Sequence, residues 1–156
     1  MDNKRNFDIN REWKSGRLPI INGILYEDGS MDCINIDFDV RERTVEYIRK
    51  VHINELLSQG EIGFSYITVN NKVIHLEKQI TVYCGEGSYG GDGFVVVQSN
   101  VGIGILWIAF FETANPFISI EITDNTIYAI NNLKEKWSFN IDNPKEINIV
   151  MLKGEK

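Results

Sequence analysis

Ile105-Leu106-Trp107-Ile108-Ala109-Phe110-Phe111 is apolar at every position. In an extended chain successive side chains point to opposite faces. Leu106, Ile108 and Phe110 therefore lie on one side, and Ile105, Trp107, Ala109 and Phe111 on the other. A strand apolar on both faces is central in its sheet and covered on each side. Burying each large side chain stabilises by about 1.5–3 kcal/mol, so this strand anchors the core. The run from Ile103 to Phe111 is strand-sized, far short of the roughly 20 residues of a membrane span.

Downstream the pattern is regular. Ile118, Ile120 and Ile122 alternate with Ser119, Glu121 and Thr123, and Asp124-Asn125 turns the chain into a strand over 126–130. Asn131-Asn132 turns it again into a strand over 135–141 with Trp137, Phe139 and Ile141 on the buried face. Asn143-Pro144 breaks that strand, and Ile147 to Leu152 forms a last one. Short connections of this kind describe an antiparallel meander.

Upstream, Asn22-Gly23 is a hairpin signal and Glu27-Asp28-Gly29-Ser30 a second turn. Ile34, Ile36 and Phe38 face the core while Asn35, Asp37 and Asp39 face water. Residues 43–59 fit a helix through Val45, Ile48, Val51 and Leu56 and nearly fit a strand through Val45, Tyr47, Val51 and Ile53. Their β-branched content favours a strand over 44–52 leading into a short helix, with Asn54 as its cap and Gly60 as its end. A strand over 62–69, a turn at Asn70-Asn71-Lys72 and a long strand over 73–84 follow. The fold expected is mainly β: an antiparallel meander closed into a sandwich or open barrel with one short helix. Residues 1–17 form a polar N-terminal arm whose Phe7, Ile9 and Trp13 dock on the body, and 18–156 a single domain. A short helix in the arm is an open alternative.

Between the strands ending at Cys84 and starting at Phe94 lies Gly85-Glu86-Gly87-Ser88-Tyr89-Gly90-Gly91-Asp92-Gly93. It satisfies G-x-G-x-x-G, but the dinucleotide fingerprint needs a helix next, and Phe94-Val95-Val96-Val97 is a strand. The protein-kinase pattern has valine two residues after the last glycine, where this chain has Asp92. A single Gly-Gly-Asp-Gly cannot build the shared coordination of calcium-binding β-helix repeats. The glycines are those of a wide β connection. What the loop can present is Glu86, Ser88, Tyr89 and Asp92, a composition suited to adaptable binding.

The net charge is −6, and the 17 N-terminal residues carry five basic against three acidic groups. The remainder holds 11 basic and 19 acidic side chains, a balance that repels a phosphate backbone and attracts a basic protein. From Arg17 to Arg41 no basic residue intervenes, while Glu27, Asp28, Asp32, Asp37 and Asp39 do. Cys33 and Cys84 form no Cys-x-x-Cys pair, His52 and His75 have no metal-ligand spacing with them, and Met1–Lys14 lacks an apolar leader run. Free thiols in a reducing cytoplasm follow. Cys84 beside a histidine, or Glu112 facing Glu121 across Ala114-Asn115-Pro116, are the catalytic constellations open to this chain. Nothing singles out either, so no catalytic residue, cofactor or metal is assigned.

In its size, acidic body, Ile/Asn/Lys-rich β meander and the loop Glu86–Asp92, the chain resembles the small immunity proteins of bacterial toxin–immunity systems. That resemblance implies a cytoplasmic, non-enzymatic inhibitor that blocks a basic toxin or nuclease domain. Asp37, Asp39, Glu86, Ser88, Tyr89 and Asp92 are its expected partner contacts, with neither nucleic acid nor membrane bound. The competing expectations are an enzyme or ligand-binding domain whose loop 84–94 cradles a small anion or sugar, and a self-assembling β module.

Overall fold

The computed structural model describes residues 7–38, 42–102 and 104–152. It contains twelve strands and two short helices arranged as two antiparallel sheets packed face to face. The strands are β1 (Arg17–Pro19), β2 (Gly23–Tyr26), β3 (Ser30–Phe38), β4 (Arg43–His52), β5 (Phe64–His75) and β6 (Ile80–Gly87). They continue as β7 (Gly93–Ser99), β8 (Ile105–Phe111), β9 (Phe117–Thr123), β10 (Thr126–Asn131), β11 (Glu135–Asn140) and β12 (Ile147–Met151). Helix α1 (Ile9–Lys14) precedes β1, and α2 (Ile53–Ser58) joins β4 to β5.

The large sheet runs β1-β5-β6-β7-β8-β2-β3-β4, and the small one is the meander β12-β11-β10-β9. Strand β8 is central, as its sequence requires. Trp107, Ala109 and Phe111 face the small sheet, where Trp137 packs against Phe111, Phe117 and Phe139 at ring separations of 5.5, 5.3 and 6.4 Å. Such aromatic pairs add about 0.5–1.5 kcal/mol each to the burial term. Ile108 and Phe110 face the other way, under the two helices. The alternation slips at one point. A bulge at Leu106 in β8, between the pairs Val97–Trp107 and Gln98–Ile105, puts Ile105 with Ile108 and Leu106 with Trp107, the reverse of the simple period.

Within the polar N-terminal arm the short helix, the alternative left open by the sequence, forms as α1. Asp8 caps it through Asn10 and Arg11, Trp13 meets Tyr83 at 4.9 Å and Phe94 at 6.2 Å, and Asn10 accepts from the Ile105 N–H at 2.9 Å. Helix α2 buries Ile53 and Leu56 on the same face. Its cap is His52 rather than Asn54: Nδ1 accepts from the Asn54 N–H at 3.2 Å while Nε2 meets the Asp28 carbonyl at 3.0 Å. The Asn54 amide donates to histidine because the strand register delivers His52 to that spot opposite Ser30. Gly29, at φ +89°, must lack a side chain, since a Cβ would sit 2.6 Å from the same imidazole.

Two turn readings and one facing reading differ from the structure. Asn22-Gly23 makes no hairpin, because β1 pairs with β5 and β2 with β8. Asn22 instead binds Glu112 at the end of β8, donating to Oε2 at 2.6 Å and accepting from the N–H at 2.9 Å. Asn70-Asn71-Lys72 is a bulge inside one long β5 and not a turn. There the Asn70 and Asn71 amides donate to the Phe117 and Ile118 carbonyls at 3.0 and 3.4 Å, lacing β5 to β9 of the small sheet. The turn lies at Leu76–Gln79, where Gln79 takes φ 54° without glycine or proline. The third is Ile118, which is exposed rather than core, since the register shift opposite Ile130 and Asn131 rotates it outward.

Strand β4 is a long edge. It is blunted by a bulge at Ile48, between the pairs Cys33–Arg49 and Ile34–Tyr47.

Candidate interaction surface

Strands β3, β6, β8 and β10 all run toward one end of the sandwich, where the connections at 88–92, 112–116 and 132–134 gather. Five of the six expected contact residues are described at this end: Asp37 near the end of β3, Glu86 in β6, and Ser88, Tyr89 and Asp92 at the β6–β7 hairpin tip. Asp39 lies outside the described residues. The ends of β3 and β7 are three strand steps apart, about 14 Å at the usual spacing. One partner of standard size covers that separation.

The hairpin is tighter than a wide glycine connection. Gly85 and Gly87 belong to β6 and Gly93 to β7, so only residues 88–92 form the tip. Its geometry is set by side chains. The Gly87 N–H donates to Asp92 Oδ1 at 2.9 Å, and the Ser88 N–H to Ser65 Oγ at 2.9 Å. The Ser65 hydroxyl donates to the Tyr66 carbonyl at 2.9 Å, which leaves the Ser88 hydroxyl as donor in their 3.0 Å contact. The Asn115 N–H donates to the Gly91 carbonyl at 2.9 Å, joining the tip to the β8–β9 loop.

Asp92 corrects the sequence reading. It is 1% exposed and turned into the hairpin, so it shapes the tip and touches no partner from there. A buried carboxylate is also the wrong centre for an anion cradle. The N–H groups of Gly87 and Ser88 are already engaged by Asp92 and Ser65, which removes two of the donors such a cradle needs. Glu86 is half-buried opposite Thr68, while Ser88 and Asp37 are exposed.

Tyr89 is 72% exposed and Tyr66, on the other side of the Ser65–Ser88 contact, is 69% exposed. Tyr66 was missed in the sequence. Its only signal is an aromatic at the solvent position of the alternation Phe64-Ser65-Tyr66, in which Ser65 is buried. Elsewhere on the same end of the sandwich Asp37, Glu42 and Glu112 are exposed, with Lys134 the exposed cation of the β10–β11 turn. Arg43 at this end is engaged: Nε meets Glu135 Oε2 at 2.7 Å and Nη1 donates to the Thr113 carbonyl at 2.6 Å. Arg17 pairs with Glu12 at 2.8 Å.

The catalytic alternatives do not assemble. Cys84 faces the core between the sheets, where burial pushes its thiol up to about 12 against a smaller opposing effect of the Asn71 backbone. His75 accepts from the Lys78 N–H at the far turn of β5, and His52 caps α2. Cys33 packs on the opposite face of the large sheet from Cys84, and both thiols are free. Glu112 binds Asn22, and Glu121 pairs with Lys136 at 3.7 Å. Among the described residues no group of His, Cys, Asp and Glu side chains has a metal-holding arrangement, and no helix is long and apolar enough to cross a membrane. Compared with protein-family models, curated proteins and solved structures, the chain matches none.

Proposed function

We propose that the protein is a non-enzymatic binding module of the immunity type, which blocks a basic toxin or nuclease domain in the cytoplasm. The observation that carries this reading is the pair of exposed tyrosines, Tyr66 and Tyr89, held on two sides of one serine–serine hydrogen bond. Large aromatics presented by a rigid support lose little conformational entropy on binding and are the usual energetic anchors of interfaces. Asp37, Glu42, Glu86 and Glu112 at the same end of the sandwich favour a cationic partner and speed its approach. Asp39, two positions beyond Asp37 in the sequence, remains a proposed contact of the same partner.

The test is kinetic, on the complex with the protein that co-purifies from the native cell. Tyr89→Ala raises the dissociation rate, and Asp37→Asn slows association, an effect that fades with added salt. Wild-type kinetics in both variants would remove the assignment of this surface.

A further inference from the structure

At the opposite end of the sandwich, where β2 turns into β3, an open cleft of about 600 Å³ is lined by Tyr26, Glu27, Asp28, Ser30, Lys50 and Leu106. Asp32 lies behind two of these residues and is 1% exposed. The Tyr26 hydroxyl donates to its Oδ2. Oδ1 is buried and, among the described residues, has no partner with hydrogen-bond geometry, although burial, and then this carboxylate, push the nearby Tyr47 phenol up. Oδ1 faces Lys50 Nζ at 3.5 Å, an ion-pair distance without hydrogen-bond geometry. The same ammonium stands 5.0 Å from the centre of the Tyr26 ring. A buried carboxylate oxygen left without a donor is costly, and its natural complement is a donor that carries positive charge.

We propose that this cleft is a binding site for an organic cation, specifically a guanidinium group, with Lys50 as its built-in placeholder. Lys50 shows which chemistry the site accepts: a cation over the Tyr26 face and against Asp32. Its side chain is 56% exposed, so it swings into solvent at little cost. A planar guanidinium stacks on the vacated ring and directs a fork of N–H donors at Oδ1, which one ammonium at 3.5 Å does not satisfy. The remaining charges agree. Asp28 is held ionised below the usual carboxylate range by hydrogen bonds from the Ser30 hydroxyl and N–H, and Glu27 stands exposed beside it. Burial, and then Asp32, push the Tyr26 phenol up, so it remains a donor. Lys145, over Tyr47 at 5.3 Å, is not part of the lining. An anion would meet these carboxylates and is excluded.

The site is independent of the tyrosine surface and is tested on the isolated full chain, with no protein partner present. Methylguanidinium is titrated by amide NMR against wild type, Lys50→Ala and Asp32→Asn, with sodium chloride at matched ionic strength as control. The expected result is saturable shifts at Ser30, Asp32 and Lys50 in wild type, several-fold tighter binding in Lys50→Ala and loss of saturation in Asp32→Asn. Equal shifts from sodium chloride, or no saturation in Lys50→Ala, would overturn the proposal. Lys50→Ala alters an exposed side chain and stays decisive even where Asp32→Asn perturbs the fold. A second titration, with N-acetylarginine amide, separates the two sources of this chemistry. Binding at least as tight as methylguanidinium identifies an arginine of a polypeptide, and weaker binding a free small cation.

Discussion

Arg43 of β4 and Glu135 of β11 meet at 2.7 Å across the gap between the two sheets, with side chains only 3% and 4% exposed. Glu135 also accepts from the Asn131 amide at 2.6 Å, and the guanidinium lies 5.6 Å from the centre of the Trp137 ring. The pair clamps the sandwich beneath the proposed binding end.

Breaking a buried ion pair from one side leaves the other charge desolvated. Arg43→Met is expected to cost about 3–5 kcal/mol, measured by chemical denaturation. Adding Glu135→Leu is expected to recover part of that loss, because no unpaired charge then remains. A double variant as unstable as the sum of the single variants would deny the coupling.

The hairpin glycines differ in what they do. A Cβ at Gly85 would stand 1.9 Å from the Thr68 carbonyl oxygen, whereas a Cβ at Gly90 meets nothing within 4 Å. Gly85→Ala therefore forces β5 and β6 apart and is expected to cost several-fold more stability than Gly90→Ala. The latter suffers only the strain of φ +90°, of order 1 kcal/mol. Equal costs in thermal unfolding would mean that the β5–β6 pairing is looser than drawn.

The thiols give a pH signature. Cys84 is raised to about 12 in the folded protein, so folding favours its protonated form. The corresponding stability is complete below the unfolded thiol's pKa, about 8.5, and drains away as pH climbs from there toward the folded value. Cys84→Ala should flatten the alkaline limb of a stability–pH profile. Cys33 is half-buried and raised by burial as well, so alkylation at neutral pH should be slow there and absent at Cys84 until the protein unfolds.

Much of this architecture is legible in the sequence, because burial on one or both faces leaves a period. The central strand as far as its Trp107–Phe111 alternation, the turns at Glu27–Ser30 and Asp124-Asn125 and the Trp137–Phe139 alternation all stand where their periods put them, and only Ile105 and Leu106 are exchanged by the bulge. What escapes is set by contacts distant in sequence. Asn70 and Asn71 look like a turn and serve as a lace to β9, a role visible only once β9 is beside them. Asn22 prefers Glu112, ninety positions away, to a hairpin. The candidate surface divides in the same manner. Tyr89 was legible as an aromatic between glycines, whereas Asp92 has the composition of a surface acid and is buried by its bond to Gly87. Tyr66 was hidden in an unremarkable strand and gains meaning only from Ser65 touching Ser88.

If the two tyrosines anchor one partner, their removal is coupled. Tyr66→Ala and Tyr89→Ala are each expected to weaken the complex by about 2 kcal/mol, the threshold of an interface anchor, mostly through faster dissociation. Ser65→Ala, which removes the hydrogen bond holding Ser88, is expected to weaken binding through the displaced hairpin with the fold retained. Unchanged affinity in Ser65→Ala would show that the tip needs no such support.

The most direct test of the central claim is hydrogen exchange on the complex with its co-purified protein, compared with the free chain. The account predicts new protection concentrated at 64–68, 86–92 and 111–115, on a partner with a basic face. Protection confined to other strands, or a partner with an acidic face, would contradict it.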